Sequence, residues 1–331
     1  MAGSIGSTNG IGTNSRFNNL HGVAISPDGV YALVADRVNH LIRHLIISTA
    51  NVTTFAGVAL SAGSTNGIGT NSRFNHPEEV SISPDGVYAL VGDIFNHQIR
   101  HIIISTANVR ILAGMGSIGS ANGVGTNSRF NLPHGVSISP DGVYALVIDS
   151  NNHQIRHIII STAHVTTLAG LAGSSGSTNG IGTNARFRNP GRVMISPDGV
   201  YALAADSIHH LIRQIVISTA SVRTLAGVTG SAGSANGIGT NSRFNGPTGV
   251  SISPCGRYAL VANGINHMIR QVFITRLTDS PTLIPSSAPS VAPTFDLSIS
   301  YFSFGVRDAS KAILVDYLED DRTGNIQPLT S

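Results

Sequence analysis

Acidic, imidazole and guanidinium side chains recur together five times along this chain of 331 residues. In the first copy Asp36 precedes His40 and Arg43, and the His positions of the five copies step by 57, 56, 57 and 57 residues. The full set is Asp36, His40, Arg43, Asp93, His97, Arg100, Asp149, His153, Arg156, Asp206, His210, Arg213, Asn263, His267 and Arg270. Such groups could carry acid–base chemistry or pair as ions. Because five identical active sites are implausible, the repetition predicts one structural ion pair in each unit, with the His closing a turn.

Residues that differ between the copies at matched positions are better candidates for a single site. Two such positions lie just before the first apolar segment of each unit. They supply His21, Glu78, His134, Arg192 and Thr248. Two imidazoles and a carboxylate suit a divalent metal. The alternative is a set of solvated loop side chains, and the default expectation is that the protein has no cofactor.

A second variable position follows the repeated acidic residue, in a short turn. The candidates there for a partner surface are Arg37, Val38, Ile94, Phe95, Ile208 and Ile265. Apolar side chains exposed on turns indicate an interaction surface, whereas ordinary tolerated variation is the alternative.

The elements that position these residues are short strands. In the first unit apolar segments at 22–26, 30–35, 41–47 and 52–55 are separated by turn residues, and a Gly- and Asn-rich loop at 6–18 precedes them. No segment is long enough for a crossover helix. A Phe that returns once per unit, such as Phe17 and Phe74, is expected to lie between neighbouring units.

The pattern predicts an all-β fold, a β-propeller of five four-stranded blades in which the fifth is incomplete. The propeller covers 1–278, with repeats at 2–57, 58–114, 115–170, 171–227 and 228–276. A Pro/Ser-rich linker at 279–294 and a tail at 295–331, with a strand and a short helix, follow. First strands line the channel of a propeller, so the variable side chains before them converge at its mouth.

Blade five lacks a fourth strand before the linker. Either a tail strand at 297–304 folds back to supply it, or the five units form an open arc of an incomplete six-bladed propeller. The open arc is favoured because the tail lacks the Val-x-Thr-Leu-Ala-Gly signature of the other blades, and an unpaired edge predicts self-association.

The chain resembles the NHL-repeat propellers, whose name stands literally at Asn39-His40-Leu41. The third repeat shows the longer pattern, with Phe130, Pro133, Gly135-Val136, Pro140-Asp141-Gly142, Asp149 and Asn152-His153-Gln154-Ile155-Arg156. The chain departs from it at Leu20, Cys255 and Asn263. The resemblance implies a propeller commonly of six blades. It also implies a metal near the channel mouth in the gluconolactonase-like and amidating-lyase members, and RNA binding in some others.

The favoured function is a non-enzymatic interaction module, whose face binds a protein or glycan partner. The alternative is a metal-dependent hydrolase or lyase, gluconolactonase-like or amidating-lyase-like, with its site at the channel mouth. Nucleic acid is disfavoured because aromatic residues make up 5% and charged residues 11% of the chain, with a net charge of +3.

The cellular location stays open between secreted and cytoplasmic. The Pro/Ser-rich linker and the sequon Asn51-Val52-Thr53 favour a secreted or cell-surface protein, whereas no signal peptide is visible at Met1–Gly6. No apolar run reaches 18 residues, so no transmembrane helix is expected. The single Cys255 excludes an intramolecular disulfide.

Overall fold

The computed structural model describes residues 4–274 and 304–305. They form five antiparallel sheets arranged as a five-bladed β-propeller, which confirms the predicted fold class. Blade one has β1 (Gly10–Ile11), β2 (Leu20–Ile25), β3 (Tyr31–Asp36), β4 (Leu41–Ile46) and β5 (Asn51–Gly57). Blade two has β6 (Gly67–Ile68), β7 (Pro77–Ile82), β8 (Tyr88–Asp93), β9 (Gln98–Ile103) and β10 (Asn108–Ala113). Blade three has β11 (Gly123–Val124), β12 (Pro133–Ile138), β13 (Tyr144–Asp149), β14 (Gln154–Ile159) and β15 (His164–Ala169).

The last two blades continue the same order. Blade four has β16 (Gly180–Ile181), β17 (Val193–Ile195), β18 (Tyr201–Asp206), β19 (Leu211–Val216) and β20 (Ser221–Ala226). Blade five has β21 (Pro247–Ile252), β22 (Tyr258–Asn263), β23 (Met268–Phe273) and β24 (Phe304–Gly305). The helical elements of the described residues are short 3-10 turns at Gly12–Asn14, Gly69–Asn71, Ile94–Asn96, Gly125–Asn127, Ser150–Asn152, Gly182–Asn184, Ser207–His209, Gly239–Asn241 and Gly264–Asn266. None of the helices in this part of the chain could cross a bilayer.

Each of the first four sheets has a short fifth strand that the sequence does not predict. The Gly- and Asn-rich loop, expected to be irregular, pairs Gly10 with Val52 and Ile11 with Asn51 at the outer edge of its own blade. The edge of β5 offers unpaired backbone groups that any extended segment can meet. The innermost strands β2, β7, β12, β17 and β21 contact one another in succession, so they lie nearest the channel.

The repeated Asp and Arg form a buried ion pair inside each of the first four blades. In blade one Nη1 of Arg43 donates to Oδ2 of Asp36 at 2.9 Å, and both side chains are inaccessible to solvent. Asp36 also accepts the backbone N–H of Asn18, while Arg43 donates to the backbone oxygens of Thr8 and Arg16. The pair therefore ties the preceding loop onto the blade, which is a structural task that every unit needs.

The repeated Phe fills the space between successive blades. Phe74 is fully buried in a cluster with Leu33 and Ile42 of blade one and Val80 of blade two. The guanidinium of Arg100 lies over its ring at 5.2 Å from the centroid. Phe130, Phe187 and Phe244 repeat this arrangement at the later junctions.

The repeated His joins neighbouring blades. His97 has φ of 53°, and its Nδ1 accepts the backbone N–H of Leu132 in blade three at 3.2 Å. The same bond links His40 to His76, His153 to Asn189, and His210 to Gly246. The His also closes its own turn, as expected, because its backbone N–H donates to the oxygen of the residue three positions before it, as from His97 to Ile94.

The first and last blades each leave one apolar sheet face exposed. Val23 and Ile25 on β2 are 60% and 64% exposed, whereas Val80 at the matched position of blade two is 3% exposed. On blade five Leu260 is 45% exposed, whereas its counterpart Leu90 is fully buried. These are the two faces that would meet at a fifth junction between blades. The prediction of an open arc agrees with this exposure.

Two residues of the tail pair with the third strand of blade five, where the other blades have their fourth strand. Phe304 pairs with Ile269 and Gly305 with Met268, so the tail supplies a strand of two residues there. Ala56 and Gly57 hold the matching positions in blade one. Backbone pairing does not require the Val-x-Thr-Leu-Ala-Gly signature, so these two residues can pair without it, and the choice between a tail strand at 297–304 and an open arc stays a prediction. The predicted linker at 279–294 and the rest of the tail lie outside the described residues.

Candidate binding face

The variable residues lie at one end of the propeller, which we call the turn face. It consists of the turn of blade one at 37–40 and the matching 3-10 turns Ile94–Asn96, Ser150–Asn152, Ser207–His209 and Gly264–Asn266, together with the starts of the innermost strands. The repeated Pro-Asp-Gly turns lie at the opposite end of the strands, the Pro-Asp-Gly end. Strand pairing places the starts of the innermost strands beside these turns, since Leu20 at the start of β2 is the register partner of Asp36 at the end of β3.

Three of the predicted ligand candidates converge on the turn face. Nδ1 of His134 lies 2.8 Å from Oε1 of Glu78, and Nδ1 of His21 lies 3.3 Å from the same oxygen. Nε of Arg37 lies 3.3 Å from Oε2 of Glu78. Blades one, two and three each contribute to this charged cluster, and Arg37 belongs to it although the sequence suggested a separate surface for that residue.

A second ion pair extends the cluster. Nε of Arg192 lies 2.7 Å from Oε2 of Glu79, which joins blade four to blade two. Neither Arg37 nor Glu79 was among the channel-mouth candidates. A comparison of the repeats could have identified Glu79, because every other repeat has Gly or Arg at that position.

The environments of the two adjacent carboxyl groups shift their pKa values in opposite directions. Burial alone would raise the pKa of Glu78, but hydrogen bonds from His134 and His21 outweigh it and hold that pKa well below the usual range. Burial raises the pKa of Glu79 to about 7, although the charge of Arg192 opposes the change. Glu78 is therefore a carboxylate at neutral pH, while Glu79 titrates near pH 7.

The same contacts weaken the case for a metal at this place. Both imidazoles direct Nδ1 to one carboxylate oxygen, so the three groups bond to one another instead of surrounding a common point. Within residues 4–274, no group of three or more His, Cys, Asp or Glu side chains could hold a metal ion. The divalent metal stays a prediction, which the metal content of wild type and His134→Ala after reconstitution would test.

An apolar cavity lies on the turn face between blades four and five. Its volume is about 750 Å3, and it is open to solvent. It is lined by Ser207, Ile208, His210, Gly246, Thr248, Gly264, Ile265 and His267. Thr248, a channel-mouth candidate, therefore lies in the cavity and not in the charged cluster.

The predicted partner-surface residues divide into three groups. Phe95, Ile208 and Ile265 are exposed, and the two Ile residues form walls of the cavity. Val38 is half-buried. Ile94 is 1% exposed, which corrects its assignment to an accessible surface. The first residue of the turn follows the buried end of a strand and points inward, as Ser150 also does, whereas the second residue reaches solvent.

Comparison with known proteins identifies relatives for most of the chain. No model of a known protein family matches it. It is 28% identical over 292 residues to Protein SUPPRESSOR OF QUENCHING 1, chloroplastic, of Arabidopsis thaliana, covering 85% of this chain and 27% of that protein. It is 27% identical over 293 residues to human NHL repeat-containing protein 2, covering 80% of this chain and 40% of that protein. The chain thus spans well under half the length of these curated relatives.

Solved structures share the fold at low sequence identity. An auxiliary nutrient binding protein from Bacteroides ovatus superposes with a TM-score of 0.54 at 15% identity, covering 77% of this chain and 69% of that one. A chain of the Nidogen/Laminin complex superposes with a TM-score of 0.56 at 12% identity, covering 78% of each chain. Such likeness shows the fold alone.

The fold and its repeats define a β-propeller built from blades of one repeating sequence. The curated relatives include a protein named for its NHL repeats, so these repeats are similar to those of the NHL type. Nothing in the described residues or in these relatives favours the hydrolase or lyase alternative.

Proposed function

We propose that this chain is a non-enzymatic interaction module whose turn face binds a protein or glycan partner. One observation carries the proposal: two sets of residues that differ between repeats at matched positions lie together on the turn face. There they form a charged cluster around Glu78 and an apolar cavity beside Ile208 and Ile265. The repeated Asp and Arg are buried within the blades and serve the fold. Residues that the fold does not require are therefore the ones placed where a partner could reach them.

The two parts of the turn face suit different contacts. The charged cluster offers imidazole and guanidinium groups, whose side chains are between a fifth and a third exposed. The cavity offers exposed aliphatic surface. A nutrient binding protein and a member of the Nidogen/Laminin complex have the same fold, which supports binding as a use of such a propeller.

The test compares variants at the two ends of the same molecule. Purified full-length chain is applied to a glycan array and to a random peptide library displayed on phage. Ile208→Asp and Phe95→Asp alter the turn face, and Val200→Asp is the matched control. Val200 is about as exposed as Ile208, and it lies at the Pro-Asp-Gly end of β18 while Ile208 follows its other end.

We expect to recover ligands that bind wild type and Val200→Asp equally. The same ligands should bind at least one of the two turn-face variants at least tenfold more weakly. Ligands that ignore both turn-face substitutions would contradict it, as would the recovery of no ligand from either collection. Thermal unfolding of each variant verifies that a loss of binding is not a loss of fold.

A further inference from the structure

At one position of the repeat, four of the five copies have a side chain, and the copy beside the cavity is a glycine. This position comes shortly before the innermost strand of each blade. Its backbone is left-handed in all five copies, with φ between 46° and 59°. The five residues are Asn19, His76, Leu132, Asn189 and Gly246. In the last four repeats its N–H donates to the repeated His of the preceding blade. The backbone geometry is thus the same in all repeats, and only the side chain changes.

At the other junctions this side chain covers the seam between two blades. Asn189 donates through Nδ2 to Oδ1 of Asn151 at 2.9 Å, bridging the turns of blades four and three. The His76 ring packs edge-on against His40 and Phe95, with centroid distances of 4.7 and 4.6 Å. Leu132 is half-buried at the junction of blades two and three. Gly246 has no such side chain, Ile265 of blade five lies over it, and the cavity between blades four and five opens beside these two residues.

Two polar side chains of this cavity, Ser207 and His210, are already bonded within the protein. The Ser207 hydroxyl donates to the backbone oxygen of Pro247 at 2.7 Å, and Nδ1 of His210 accepts the N–H of Gly246 at 3.1 Å. The N–H of Gly264 donates to the backbone oxygen of Gly246. A sugar would find the Thr248 hydroxyl and the His267 ring in the lining, but no Phe, Tyr or Trp ring on which it could stack.

We infer that this cavity binds one apolar side chain of a protein partner, of the size of leucine. The inference rests on the proposed function of the turn face and narrows its partner from protein or glycan to protein. At the matched position of blade three Leu132 is half-buried and its N–H bonds His97 of blade two, so this position between two blades accepts a leucine. The incoming side chain would cover Ile208 and Ile265, which are 43% and 64% exposed.

The test fills the cavity from within the chain. Gly246→Leu supplies the side chain that blade three has, and Gly246→Asn supplies that of blades one and four. Both residue types adopt the required conformation elsewhere in this chain, with φ of 54° at Leu132 and 46° at Asn189. A Cβ at Gly246 would lie 2.8 Å from Cδ1 of Ile265, the end of a flexible side chain that must rotate away. Leu132→Asn is the control, since it exchanges the same residue types at a junction without the cavity.

Peptides selected from the phage library on the full-length wild type are the probes, and fluorescence anisotropy measures their affinities. We expect the peptides to share a Leu, Ile, Met or Phe whose change to Ala weakens binding at least tenfold. Gly246→Leu should weaken the same peptides at least tenfold, and Leu132→Asn should leave them unchanged. Peptides that bind Gly246→Leu and Gly246→Asn as tightly as wild type would overturn the inference.

This outcome is distinguishable from a failure of the proposed function. Ligands that depend on Phe95 or Ile208 but not on the filling of the cavity would overturn the inference and leave the turn face as a binding surface. Glycans as the sole ligands recovered would do the same. The recovery of no ligand from either collection would overturn both.

Discussion

At the scale of single residues, repetition separates structural groups from functional ones. A buried Asp–Arg pair with titratable neighbours could resemble a catalytic site, yet it occurs in four blades with the same partners at nearly the same distances. In blade five Asn263 replaces the Asp, and Arg270 keeps its bonds to the preceding loop. Breaking one such pair would leave a charge buried without its partner, at a cost of about 3–5 kcal/mol.

The bond between His and the next blade can be tested by comparing two positions of the repeat. His97→Asn removes the acceptor for the N–H of Leu132, and we expect it to lower the free energy of unfolding by about 1–2 kcal/mol. His267→Asn is the control, since no blade follows blade five within residues 4–274, and we expect a change within about 0.5 kcal/mol. Urea unfolding measures both, and equal losses would contradict the role of the bond.

The pH dependence of stability can be tested at His101. Burial, with a smaller contribution from the charge of Arg110, lowers the pKa of His101 to about 4. The unfolded chain, with a His pKa near 6.5, therefore binds more protons between pH 6.5 and pH 4. The stabilisation by neutral His101 is complete above pH 6.5 and is lost as the pH falls through about 4.

His101→Gln should therefore lose less stability than wild type when the pH falls from 7 to 4. The difference should approach about 3 kcal/mol as an upper limit, from 1.36 kcal/mol per unit of pKa. Urea unfolding midpoints at several pH values measure it. Parallel pH profiles for the two proteins would contradict the assignment.

The sequence could predict part of the candidate site at this scale. His21, Glu78 and His134 were identified by matched position, and they do lie together because each is the second residue of an innermost strand. Their mutual bonding was not predictable, since it depends on rotamers and on the distance between blades. Gly246 is a signal for the cavity in the sequence, because the other four repeats have a side chain at that position.

At the scale of elements, one sequence repeat produces one blade, and each blade needs its neighbours. The strand β8 contributes Leu90 to a core shared with blade three, and the same position on β22 contributes Leu260 to an exposed face. The four inner strands of a blade were predictable from alternating apolar segments and turn residues. The two-residue outer strands were not, because Gly-Ile and Gly-Val pair only through the backbone.

The exposed faces can be tested with one substitution at two positions. Leu90→Ala should lower the free energy of unfolding by about 2–5 kcal/mol, because it empties a filled core. Leu260→Ala should cost about 1 kcal/mol or less, since 45% of that residue is in contact with solvent. Chemical denaturation measures the two losses. Similar losses would show that blade five is covered by another part of the protein.

At the scale of the whole molecule, five blades surround a channel and leave the faces of blades one and five uncovered. Contiguous apolar surface of this kind favours association. We predict that the full chain self-associates in a concentration-dependent way and that Ile25→Lys together with Leu260→Lys shifts it toward monomer. Light scattering coupled to size-exclusion chromatography measures this. A monomeric wild type at all concentrations would contradict the prediction.

The central claim is that the turn face is the binding surface of this propeller. Hydrogen–deuterium exchange of the full chain, with and without a ligand recovered from the peptide library or the glycan array, tests it most directly. The account predicts protection of amides at 205–210, 246–249 and 264–267 or around the cluster at 78–79 and 134–135, with no change at 196–200 and 253–257. Protection centred on the Pro-Asp-Gly end, or on the exposed faces of β2 and β22, would contradict it.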